Sequence, residues 1–104
     1  MIPIKSIRVG PFTVTVKTLN GEEAEKSLGL FSQEKMTIWL HPKFESEQIE
    51  AETVIHEMMH AIYSVFGVHE KDRQERVVSQ MSIGMASVIR DNPKLIEWLR
   101  KKLS

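Results

Sequence analysis

His56-Glu57-Met58-Met59-His60 spells H-E-x-x-H, and the residues on either side of it have the spacing of a helix. On a helix, residues four apart stand one turn above each other, with Cβ atoms roughly 5–6 Å apart. Two imidazoles so placed reach one metal ion, and a Glu one step round the helix reaches a water beside it. The chemistry permitted is metal-assisted hydrolysis, with His56 and His60 as ligands of Zn2+ and Glu57 as general base. The chain has four His in all, two of which bracket this Glu.

A catalytic zinc normally takes three protein ligands and leaves one position open to water. The downstream candidates are His69, Glu70, Asp72 and Glu75. From His60 the helix runs on to Phe66, which carries the chain roughly 9 Å from the metal at 1.5 Å per residue. An antiparallel second helix must climb about as far to come level again, which reaches Gln74 or Glu75. Glu75 also lies one helical turn before the apolar Val78, so it is expected to share the inward face. Glu75 is thus the expected third ligand. The competing reading is a capping box, Asp72-Arg73-Gln74-Glu75, in which Glu75 reaches back to a backbone N–H. His41 and Tyr63 are candidates to line the cleft, set against a solvated strand end and a buried aromatic respectively.

The elements that must position these residues follow from periodicity. Residues 1–41 read mainly as strands. Phe12, Val14 and Val16 alternate with polar residues, and Ile7 and Val9 form a shorter strand ahead of Gly10-Pro11. Asn20-Gly21 opens a turn, followed by a charged loop from Glu22 to Lys26. Ser27 to Phe31 and Lys35 to His41 make a hairpin about Ser32-Gln33-Glu34, and Pro42 ends it. The second arm, standing just before the motif, is expected to be an exposed edge that pairs with an extended peptide.

The motif helix spans 46–66, with Ser46 as N-cap and Gly67 as stop. Val54, Ile55, Met58, Met59, Ala61, Ile62 and Val65 fall on its apolar arc, with His56 and His60 just outside and Glu57 beyond them. A second helix spans 72–90, with Val78, Met81, Met85, Val88 and Ile89 facing the core. Gly84 within it permits close approach to the motif helix. A third helix spans 93–103, opened by Pro93, with Leu95, Ile96, Leu99 and Leu103 inward. Strands followed by helices predict α+β: a small N-terminal antiparallel sheet packed on a helical part, a minimal zincin-like domain over 1–104.

Composition excludes several classes. Lys+Arg and Asp+Glu are both 14, so neither nucleic acid nor membrane has an electrostatic claim on the chain. The Arg100-Lys101-Lys102 run sits in a last helical turn, where cations complement the dipole. There is no Cys to form disulfides or thiolate sites, and no apolar leader or span, so a cytoplasmic protein is expected. The methionines at helical core spacings read as packing rather than copper or haem ligation. The chain has no Gly-rich phosphate loop. A domain this small has little surface with which to complete a cleft without a partner or second copy.

His56 to Ile62, then Glu75-Arg76-Val77-Val78, then Arg90-Asp91-Asn92-Pro93, with Leu28-Gly29-Leu30-Phe31 upstream, resemble the small phage- and prophage-encoded metallopeptidases related to the ImmA/IrrE group. The resemblance covers about Leu28 to the C-terminus. It implies a cytoplasmic zincin with an acidic third ligand on the next helix, and a protein substrate such as a helix-turn-helix repressor. The chain departs from the group in its shorter length, tighter His60-to-Glu75 spacing and lack of a recognisable sensing domain. The alternative function is a vestigial or structural metal module that acts by binding a regulatory partner.

Overall fold

Gly10, at φ +58°, makes the tight reversal that joins the first two strands, a conformation L side chains rarely adopt. The computed structural model describes residues 3–67 and 74–104. Its elements in chain order are β1 (Ser6–Val9), β2 (Phe12–Thr18), α1 (Gly21–Lys26), β3 (Gly29–Ser32), β4 (Thr37–Leu40), α2 (Glu47–Val65), α3 (Gln74–Asp91) and α4 (Pro93–Leu103). The fold is α+β, a four-stranded sheet against three helices.

The segment read as a charged loop is the short helix α1. Glu22 and Glu23 in its first turn and Lys26 in its last both complement the helix dipole. The sheet is mixed rather than antiparallel. Its order is β1-β2-β4-β3, with β1–β2 and β3–β4 antiparallel and the central β2–β4 pair parallel. The reason is burial. Thr37, Ile38 and Leu40 are nearly inaccessible, whereas Leu28 and Leu30 stay exposed. The hairpin therefore enters the sheet with its apolar arm inward, and that arm runs in the direction of β2. The second arm, expected at the edge, is interior, and β3 takes the edge.

The other edge is closed by a side chain. Arg8 N–H donates to Asn92 Oδ1 at 2.8 Å, and Asn92 Nδ2 donates to the Arg8 carbonyl at 2.8 Å and the Val88 carbonyl at 2.9 Å. The Asn92 amide thus stands in for a strand partner of β1 while leading into α4, with Pro93 at its start.

One face of the sheet supplies Ile7, Val9, Val14, Ile38 and Leu40 to the core. Against it lie Ala51, Val54, Met58, Ala61 and Ile62 of α2, Val88 of α3, and Leu95 and Leu99 of α4. α2 begins as expected, with Ile49 N–H donating to Ser46 Oγ at 3.1 Å. It ends at Phe66, and Gly67 follows at φ +69°. Leu103, expected inward, is exposed at the end of α4. None of the described helices is long and apolar enough to cross a membrane.

α3 meets the core through Met81, Met85 and Val88, as expected, but Val78 and Ile89 lie on its open side. Gly84, Ser87 and Val88 are buried, whereas Val78 and Ile89 are 53% and 50% exposed. The cause is the helix crossing. A Cβ built on Gly84 would lie 2.3 Å from Ile62 Cγ2 and 3.0 Å from Phe66 Cδ2. The close approach to α2 is made through the glycine, as the sequence led one to expect, with Ser87 and Val88 buried beside it.

Candidate metal centre

α2 carries the motif on two differently buried sides. His56 and His60 are exposed, with ring centroids 4.8 Å apart and planes at 77°. Their Nε2 atoms stand 3.2 Å apart, within hydrogen-bonding distance. That separation is also what one tetrahedral ion asks of two nitrogens at about 2.0–2.1 Å, roughly 3.3 Å. Both histidines bring the same ring nitrogen to this separation. This fits a metal, and the imidazole donors suit zinc.

Glu57 is 6% exposed and turns inward, not outward beyond the histidines. It stands only about 40° round the helix from Ala61, so it returns to the far margin of the apolar arc. Burial raises its pKa above the ordinary carboxyl value, and the charges of His56 and His60 oppose that rise. The covering element is β3. A Cβ on Gly29 would meet Glu57 Oε2 at 2.9 Å, Glu57 Cγ at 3.0 Å and Thr53 Cγ2 at 2.9 Å. The absence of a side chain at Gly29 is what makes room for the carboxylate. Ser27 pins that glycine: its Oγ donates to the Gly29 carbonyl at 2.6 Å and accepts from Gly29 N–H at 3.3 Å.

Two depressions meet at His56. One, of about 420 Å³, is walled by Met59, Tyr63 and Met81 beside both histidines. The other, of about 500 Å³, includes Ser27, Gly29, Thr53 and Glu57. Together they make a trough across the histidine pair, apolar on one side and polar on the other. Tyr63 is thus placed at the site. His41 lines neither depression; its Nδ1 accepts from Lys43 N–H at 3.0 Å, and its ring stands edge-on to Phe44.

Glu75 does not join the histidines. It is exposed in the first turn of α3, and among the described residues no three His, Cys, Asp or Glu side chains gather into a group able to hold an ion. The inference that placed it inward relied on Val78, which itself faces out. His69, Glu70 and Asp72 lie outside the described residues. Sequence reasoning also missed Gly29, whose role depends on a contact between β3 and α2 that no local pattern announces.

Compared with known proteins, the chain matches no family model, no curated protein and no solved structure.

Gly29→Ala is expected to destabilise the fold by roughly 1–3 kcal/mol through overpacking. Adding Glu57→Asp withdraws the carboxylate by one methylene, so the double variant should cost clearly less than the sum of the two singles. Urea unfolding of all four proteins measures this coupling; strictly additive costs would show that Gly29 and Glu57 do not share the contact.

Proposed function

We propose that this chain is a zinc-dependent peptidase of the H-E-x-x-H type acting on extended segments of protein substrates. The observation that carries the reading is the convergence of His56 and His60 Nε2 at 3.2 Å, with the sheltered carboxylate of Glu57 on the same helix. The resemblance to the ImmA/IrrE-related metallopeptidases supports it. That resemblance also makes a helix-turn-helix repressor the substrate to try first, in a reducing compartment such as the cytoplasm, which a chain without Cys suits.

His56 and His60 would hold a zinc ion, which when bound would supply Lewis acidity for water and for a peptide carbonyl. Glu57 accepts a proton from the attacking water and returns it to the leaving amine. The edge strand β3 gives a substrate its alignment. His41 N–H donates to the Leu28 carbonyl, so by antiparallel alternation Leu30 and Ser32 also bond to β4, while Gly29 and Phe31 turn their backbone groups outward. Ser27 already engages those of Gly29. Phe31 is then the residue to which an extended peptide adds as a further strand.

Metal content by mass spectrometry tests the site. About one zinc per chain is expected in the wild type and none in His60→Ala. No zinc in the wild type, even after it is added back, would sink the proposal. Glu75→Ala addresses the third ligand. Loss of zinc would assign that role to Glu75 and require the start of α3 to turn towards α2. Retention would pass the role elsewhere.

A further inference from the structure

From Val77 to Ile89 the chain runs thirteen residues without a charged side chain, in a protein of which 27% is Asp, Glu, Lys or Arg. This stretch forms most of α3, and half of it faces solvent. Val78, Ile83 and Ile89 are 53%, 55% and 50% exposed, more than the other large apolar side chains of the described residues. Between them on the open side stand only small residues, Ser79, Ser82 and Ala86, all exposed. A solvated helix face ordinarily carries charge. Depletion of charge around exposed aliphatic residues is the composition of a protein–protein interface core.

The ends of the same face say what covers it. Glu75 lies in the first turn of α3 and Arg90 in the last, and both are exposed. We infer that α3 packs antiparallel against α3 of a second copy of this chain, about a two-fold axis passing between Ser82 and Ile83. Setting Glu75 level with the partner's Arg90 fixes that axis. Ser79 then lies level with the partner's Ala86, and Val78 sits between the partner's Ala86 and Ile89. Ser79, Ser82 and Ala86 fall along the middle of the shared face, where two backbones approach most closely. Val78 and Ile89 fall on one flank of that line and Ile83 on the other, and Glu75 and Arg90 of opposite charge close both ends. A parallel pairing would instead set Glu75 against Glu75. Arg90 already holds Asp91 at 2.9 Å with its guanidinium 72% exposed, so it has open donors for a second carboxylate. A two-fold contact repeats each pairing twice, which doubles the effect of charge matching.

The inference does not depend on the peptidase reading, and its test needs no metal or substrate. Sedimentation equilibrium on the full chain should show a species of twice the 12.0 kDa chain mass, rising with concentration. Ile89→Glu, a substitution at an exposed position, should leave only the 12.0 kDa species with an unchanged circular dichroism spectrum. Arg90→Glu, which sets two carboxylates together at each end, should weaken the dimer about tenfold. Adding Glu75→Lys to it should bring the dissociation constant back to within about threefold of the wild type. A wild type that stays monomeric to about 1 mM would overturn the proposal. So would a dimer indifferent to Ile89→Glu. Failure of the charge exchange to restore association would overturn the antiparallel register.

Discussion

Glu57→Gln is expected to slow peptide hydrolysis by about 10²–10⁴-fold while the protein keeps its zinc. The carboxamide has the size of the carboxylate, so it fits under Gly29 without moving β3, whose approach leaves no slack. His56 and His60 are untouched. On the proposed mechanism, what is lost is the one carboxylate beside them, among the described residues, able to take a proton from water and give it back. Rates on a mixture of internally quenched peptides, with metal content on the same samples, measure this. Full activity in the variant would remove Glu57 from the mechanism. Loss of zinc would make it a ligand instead of a base.

The same substitution has a second readout, in stability. Burial raises the pKa of Glu57 in the folded chain, so the folded state disfavours the ionised form. The sign follows from linkage. A carboxyl raised on folding contributes stability that is fully present below its unfolded pKa and is lost as pH rises through its folded value. Gln does not titrate. In chelator-treated protein, Glu57→Gln should therefore melt above the wild type at about pH 7, and the gap should close towards about pH 4. A constant gap across this range would mean that the carboxyl titrates alike in both states.

Gly84→Ala is expected to destabilise the fold clearly, since of the five glycines it is the one where an added Cβ meets its neighbours most closely. In a helix the substitution would normally gain about 1 kcal/mol, because Ala loses less backbone entropy than Gly. Here the new Cβ would stand 2.3 Å from Ile62 Cγ2, and Ile62 is fully buried in the core. Neither helix can yield without opening the contact that aligns α3 with α2. Overpacking of 1–3 kcal/mol or more outweighs the propensity gain. A net loss of about 2 kcal/mol lowers the melting temperature by roughly 10 °C in a domain of this size. Ile62→Ala in the same chain should recover part of that loss beyond additivity, since it removes the clashing methyl. A stabilised Gly84→Ala would show that the helices cross further apart than the structure places them. The effect reaches the candidate metal centre, because Met81 on α3 lines the same depression as His56, Met59, His60 and Tyr63.

Much of the fold was legible before any coordinates. α2 was bounded by Ser46 and Gly67, and its histidines were placed one above the other, because capping and the i, i+4 relation depend on a single helix. The start of α4 at Pro93 and the β3–β4 hairpin were legible for the same reason. α1 was missed, although Glu-Glu-Ala-Glu-Lys is a good helix-forming run. Its charge had suggested only a solvated loop.

The sequence by itself determined the strands, the three long helices and the neighbouring positions of His56, Glu57 and His60, since each is written in residues close along the chain. Tertiary structure alone decided which strand is the edge, that Val78 and Ile89 of α3 face solvent, and where Glu57 and Glu75 end up. Those depend on which surfaces meet. β4 went inside because its side chains are the more apolar. α3 turned its glycine inward because only there could the helices touch, which left Val78 and Glu75 facing out. Glu57 went under β3 because residue 29 has no side chain to keep it away.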